Sequence, residues 1–363
     1  MFYLAALFSL AFLIVVHEAG HYFVARRCGM AIERFSIGFG PGILKRKSKK
    51  TGTTFQIAPI PFGGFVEIRG MNIVEEVDPD DRTAYPNRPA WQRFLTIFAG
   101  PATNYLSAIV IMFALYATYG MQSSWSWYGV ADVKDGYDAH GKLELGDRIL
   151  AVDHVPLMAK GEHDGAKADS LVKRVNAKNG QVVTLTVERT GKRLDVDIQP
   201  KLAKDDTGKE LLQDGKPYYL LGIVPAEQSE FVDASLAESA VAAVEFPIDQ
   251  TVFIATSVRD IFTGKVKADP RGPKGIFDEF AKAWKLGVFT GVYLLAALSV
   301  YLGLFNLLPI PALDGGRLVF LAYELVTRRR ANPKIEAMVH MAGIMVLGVV
   351  MILVTMRDFG VFS

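Results

Sequence analysis

Four apolar stretches of bilayer-spanning length constrain this chain more than any other feature. They cover residues 2–16, 94–119, 286–308 and 337–356. A helix rises about 1.5 Å per residue, so roughly 20 apolar residues cross the hydrocarbon layer of a membrane. Phe2 to Val16 carries no charge, and neither a basic leader nor a small-residue cleavage site accompanies it, so it reads as a retained helix and not a secretory signal. Trp91 precedes the second stretch, Trp125 and Trp127 follow it, and Trp284 precedes the third, where membrane interfaces favour that ring. Half of the 363 residues are apolar. The expectation is a polytopic α-helical membrane protein with about four transmembrane helices.

Charge orients the helices. Arg26, Arg27, Arg34, Lys45, Arg46, Lys47, Lys49 and Lys50 lie between the first two stretches, and Arg317, Arg328, Arg329, Arg330 and Lys334 between the last two. Basic loops stay on the cytoplasmic side, so both termini and the long segment from about 125 to 283 are expected outside. A net charge of +2 gives no field suited to nucleic acid. The Lys45–Lys50 run reads as attraction to anionic lipid heads or as a solvated turn. Cys28 is the only cysteine, which rules out an intramolecular disulfide and leaves a packed or free thiol.

The chain divides on this reading into 1–127, a membrane portion; 128–226, a β-rich outer domain; 227–283, an amphipathic segment; and 284–363, a second membrane portion. In the outer domain, Val182–Glu188 and Arg193–Ile198 alternate around Thr190-Gly191, which predicts a hairpin, and Tyr218–Val224 reads as a last strand. Between Leu236 and Phe262, apolar residues recur at helical spacing but Glu238, Glu245, Asp249, Arg259 and Asp260 interrupt them. A helix lying on the outer membrane surface fits this better, with a soluble amphipathic helix as the alternative.

His17-Glu18-Ala19-Gly20-His21 carries the chemistry. Residues four apart share a helix face, so both imidazoles reach one zinc ion, and Glu18 lies close enough to take a proton from water activated there. Ionisable groups in a membrane helix are costly and mark function. A third ligand is needed. His140, His154 and His163 belong to the outer segment, and His340 is the local competitor. Asp314, in Asn306-Leu307-Leu308-Pro309-Ile310-Pro311-Ala312-Leu313-Asp314-Gly315-Gly316, is the better candidate, because a carboxylate amid apolar sequence needs a partner. An N-cap for a helix starting near Gly315 is the alternative. Counted along their helices, His17 and Asn306 fall at similar depth near the cytoplasmic side. Pro309 and Pro311 interrupt the helix there, which calls for a covered, water-containing pocket.

These residues resemble the site-2 protease family of intramembrane zinc metalloproteases, most closely its bacterial RseP type. The likeness extends through Phe35-Ser36-Ile37-Gly38-Phe39-Gly40, Ala99-Gly100-Pro101-Ala102-Thr103-Asn104, Gly272-Pro273-Lys274-Gly275-Ile276 and Asn306–Gly316. The resemblance implies zinc bound by His17, His21 and Asp314, Glu18 as general base, and Asn306 holding the substrate or its oxyanion, though an amide there also serves helix–helix hydrogen bonding. It implies a membrane-associated β-hairpin from Thr53–Ile60 and Phe62–Ile68 around Pro61, whose edge would pair with an unwound substrate. Leu145-Gly146-Asp147-Arg148-Ile149-Leu150-Ala151-Val152-Asp153 is similar to the family's circularly permuted PDZ domain, with room here for one copy, and suggests a peptide C-terminus as its ligand. The resemblance further implies substrates that are transmembrane proteins of the bacterial cytoplasmic (inner) membrane, of the anti-sigma-factor or signal-peptide-remnant type. A silent scaffold would not need Glu18 beside two histidines, and a metal transporter would need more polar positions than Asn104 and His340 on its remaining helices.

Overall fold

The computed structural model describes residues 1–72, 75–157, 171–204, 209–213, 215–266 and 272–360, and not the side chains of 61–62, 122–127 and 225–230. His163 and the side chains of Pro61, Trp125 and Trp127 fall outside it. The chain forms two compact units, one of 1–119 with 234–363 and one of 120–233.

The first unit is helical. Its elements are α1 (Phe2–Arg27) and α2 (Ala90–Tyr119), then, beyond a short α3 (Leu171–Ala177) in the other unit, α4 (Leu236–Phe262), α5 (Pro273–Leu286), α6 (Val288–Leu307), α7 (Asp314–Thr327) and α8 (Pro333–Asp358). Five of them, α1, α2, α4, α6 and α8, are long and apolar enough to cross a membrane, one more than the four apolar stretches. The addition is α4. Its first half docks Ala243 and Phe246 among Ala108, Met112 and Leu115 of α2 and Ala296, Ala297 and Val300 of α6.

Small residues set the close packing. Gly20 of α1 lies so near α2 that an added Cβ would sit 2.3 Å from the Ala99 carbonyl oxygen. Thr103 Oγ1 donates to Val16 O at 3.0 Å. On the other face of α2, Ser107 and Ser299 hydroxyls pair at 2.9 Å, while Tyr119 meets Phe289 with ring centres 6.1 Å apart. Both neighbours therefore run antiparallel to α2, and α6 runs parallel to α1.

Between α1 and α2 the expected hairpin is replaced by a four-stranded sheet. Strands β1 (Ile32–Phe39), β2 (Leu44–Lys47), β3 (Thr54–Ile57) and β4 (Ile60–Ile68) lie in the order β2-β3-β1-β4. The segments that sequence pairs with each other thus flank β1: β3 parallel to it, β4 antiparallel. Their link crosses β1 at Gly38, where a Cβ would lie 2.7 Å from Ala58 O and 2.8 Å from Ile60 O. Only glycine tolerates that crossing at φ +88°.

The second unit is β-rich. Its main sheet orders β14 (Ile223–Val232), β5 (Met121–Val133), β6 (Arg148–Val152), β8 (Val183–Arg189) and β9 (Lys192–Ile198), with β7 (Val155–Pro156) against β6. Two small pairs, β10 (Lys201–Leu202) with β13 (Tyr219–Leu220) and β11 (Leu212–Gln213) with β12 (Lys216–Pro217), complete it. The expected hairpin is present as β8–β9, turning through Thr190 and Gly191, both at positive φ. Val130, Ile149, Val152, Leu171, Val175, Leu185, Val187 and Ile198 share one core.

Asp147 is buried beneath this sheet, its side chain 1% exposed. Arg189 grips it with two bonds of 2.8 and 2.7 Å, and the Glu144 N–H adds a third of 2.9 Å. Burial works to raise its pKa, but Arg189 and the amide prevail and hold the carboxyl below its ordinary range. Its contribution is thus present at neutral pH and lost as pH falls through that lowered value. Breaking a buried pair costs roughly 3–5 kcal/mol, and the partial exposure of Arg189 places Asp147→Ala at the low end. Hydrogen exchange of β6 and β8 in the intact protein should accelerate accordingly; unchanged exchange would contradict this account.

Candidate metal centre

Four residues apart on α1, His17 and His21 turn their rings to one side, both buried, with centroids 4.9 Å apart. Asp314 opens α7 and reaches between them. Its Oδ2 lies 3.1 Å from His17 Nε2 and 3.2 Å from His21 Nε2, and the two Nε2 atoms are 3.2 Å apart. Donors about 2.0–2.1 Å from a tetrahedral zinc ion stand roughly 3.3 Å from one another, so this triangle has the edges of such a site. Oδ2 is buried, and among the described residues its close polar neighbours are the two Nε2 atoms. A shared cation suits three such atoms.

α2 supports the triangle from behind. The Thr96 carbonyl oxygen lies 2.8 Å from His21 Nδ1. A carbonyl only accepts, so Nδ1 carries a proton, and in the neutral ring the lone pair is then on Nε2, on the side of Asp314. Asn104 stands 3.1 Å from His17 Nδ1. Between them Gly100 leaves room, for a Cβ there would lie 2.3 Å from His21 Nε2 and 2.9 Å from His17 Cε1.

The third side depends on the break between α6 and α7. Pro309 and Pro311 fall in it, as expected. Ala312 adopts φ +79°, and Gly315 and Gly316 admit the returning chain, since a Cβ on Gly315 would lie 1.9 Å from Leu308 O. Asp314 is the first residue of α7; the cap is Leu313, which offers no side-chain bond. His340, the competing ligand candidate, is not one of the three: its Nδ1 accepts from the Ala312 N–H at 3.2 Å. α8 thereby braces the loop carrying Asp314, and Gly343 packs on Pro311 in support.

Glu18 lies where α1 meets β4. An added Cβ on Gly64 would come 3.3 Å from its Cγ. Asn306 is outside the triangle, its amide donating to Leu302 O at 2.9 Å. Sequence reading missed the service of Thr96, Gly100 and Asn104 to the histidines. Their spacing of four residues along one face of α2 was the available signal.

Helices of membrane-spanning length around His-Glu-x-x-His, with the Asp314 carboxylate as third donor, define a multi-pass membrane zinc metalloprotease. The chain belongs to peptidase family M50, the site-2 protease family, whose model matches residues 5–350. It is 32% identical to a proposed zinc metalloprotease of Fusobacterium nucleatum subsp. nucleatum, over 99% of this chain and 98% of that one. Two more proteins so named are similar along their length. That of Mesorhizobium japonicum is 32% identical over 94% of each chain, and that of Rickettsia conorii 31% over 96% of each.

Proposed function

We propose that this protein is an intramembrane protease that holds zinc through His17, His21 and Asp314 and cuts peptide bonds within or beside the transmembrane segments of other proteins. The observation that carries the reading is the triangle of donor atoms, 3.1–3.2 Å on each edge, two of them on the spanning-length α1 and the third at the start of α7.

A zinc ion held by His17, His21 and Asp314 would supply Lewis acidity, enough to let water yield a proton near neutral pH. Glu18 accepts that proton and passes it to the leaving amine. Asn306 exchanges its bond to Leu302 O for the scissile carbonyl, placing an amide donor on the developing negative charge. β4, at an edge of the sheet and beside Glu18, offers main-chain groups to an unwound substrate.

Four of the five long helices span on this reading. Because α6 runs parallel to α1, the chain leaves α2 and enters α6 on the same side, so an even number of crossings lies between. α4 alone cannot provide one. α5 has 14 residues, with Lys274, Asp278, Glu279, Lys282 and Lys285 among them, too short and too charged to return. With the basic loops cytoplasmic, both termini and residues 120–233 are outside on this reading, across the bacterial cytoplasmic membrane. That unit acts as a PDZ domain that admits or rejects substrates, by binding an exposed C-terminus or by excluding bulky outer domains; a merely bracing role is the alternative. Membrane-bound anti-sigma factors and signal-peptide remnants are the substrate types favoured.

The test is cleavage of a single-span model protein by the purified full-length chain, with products mapped by mass spectrometry. A cut within or next to the span, stopped by a chelator and restored by zinc, is expected. Cuts confined to distant soluble loops would overturn the proposal.

A further inference from the structure

We propose that Asn104 is a positioning residue for the metal: its side-chain oxygen accepts the Nδ1 proton of His17 and so presents the Nε2 lone pair to the site. The inference rests on the assignment of His17, His21 and Asp314 as ligands. Asn104 is 0% exposed, in the middle of α2. Its Nδ2 stands 3.1 Å from His17 Nδ1, while its Oδ1 is buried and has no partner among the described residues. The nitrogen and oxygen of an amide exchange places by a half-turn of the group, and the hydrogen-bond network decides between them.

The two orientations differ in consequence. With nitrogen toward the ring, the amide donates to Nδ1, so the proton of neutral His17 is on Nε2. That proton then points into a space shared with His21 Nε2 and Asp314 Oδ2, 3.2 and 3.1 Å away. A protonated Nε2 cannot ligate, and the amide oxygen stays without a donor. With oxygen toward the ring, Oδ1 gains the donor it lacks, Nδ1 keeps the proton, and Nε2 is free. His21 is already held in this tautomer by the Thr96 carbonyl oxygen, 2.8 Å from its Nδ1. Both ligand histidines are thus oriented from one face of α2, at positions 96 and 104, with Gly100 between them making room for the rings. Such outer partners fix the tautomer and orientation of a ligating imidazole, and losing one costs about 10–100-fold in metal affinity.

Zinc affinity of the full-length protein in detergent, measured by competition with a chromophoric chelator, tests this without reference to turnover. Asn104→Ala should bind zinc about 10–100-fold more weakly. Asn104→Asp, which can only accept, should bind near the wild-type value. Ser299→Ala should also stay near wild type, since the Ser299 hydroxyl touches Asn104 only through its main-chain oxygen, at 3.0 Å. Asn104→Leu, of similar size, replaces the alanine variant if that one does not fold. Three results would overturn the proposal: wild-type affinity in Asn104→Ala, an Asn104→Asp variant as weak as Asn104→Ala, or an equal loss in Ser299→Ala. His17→Ala separates the two levels. If it binds zinc as tightly as wild type, the ligand assignment fails and the role of Asn104 fails with it. If it loses zinc while Asn104→Ala does not, only the positioning role fails.

Discussion

Replacing Glu18 by glutamine should cut peptide turnover by about 10²–10⁴-fold while leaving zinc in place. The amide keeps the size of the side chain but cannot take a proton from water. It stands outside the triangle of His17, His21 and Asp314, so the metal should remain. Substrate should still bind, which makes the variant a trap: membrane proteins recovered with it are candidate substrates. Zinc content by metal analysis and turnover on one model substrate give the two readouts. Full activity in Glu18→Gln would remove this residue from the mechanism, and loss of zinc would make it a ligand.

Asp314→Ala and His340→Ala should diverge. The first removes one corner of the triangle, and zinc content after dialysis should fall from about one ion per chain to near none. In the second, all three donors remain. What it removes is the acceptor for the Ala312 N–H, which is part of the loop before Asp314. Stranding a buried donor costs about 1–3 kcal/mol, and this one is partly buried, so the melting temperature should drop modestly while zinc is retained. Zinc lost from His340→Ala but kept by Asp314→Ala would mean that α8, and not α7, supplies the third ligand.

The two residues show how far sequence reading reached. Both stood out as ionisable groups in apolar surroundings, and depth counting along the first and third apolar stretches favoured Asp314. Depth is one coordinate. It cannot tell which helix faces which, and so it left His340 as a competitor and Asn104 as a stray polar residue. In the fold, α2 lies between these readings. Its 96-100-104 face meets α1, and its Ser107 side meets α6. Thr96 acts through a main-chain carbonyl, which every residue has and no side-chain pattern announces.

The sheet and α4 make the same point from the other direction. The family resemblance marked Thr53–Ile60 and Phe62–Ile68 as strand-forming, and β3 and β4 fall in them. Pairing is a relation between strands, and here β1 inserts between the two because Gly38 lets the link cross over it. In α4, length and hydropathy satisfy the requirement for a span, yet the direction of α6 against α2 argues that it does not cross.

By itself, the sequence determined what depends on neighbours along one segment: the apolar stretches, the hairpin around Thr190-Gly191, and the i, i+4 pairing of His17 with His21 beside Glu18. Local geometry is dictated by the backbone, so residue spacing suffices. Only the tertiary structure decided which distant groups share the space around those histidines. Asp314 arrives there because two prolines end α6 and two glycines let the chain fold back. Asn104 arrives because Gly20 and Gly100 let α1 and α2 approach closely. These meetings depend on helix direction, rotation and packing distance, and none of those is a property of any one stretch of sequence.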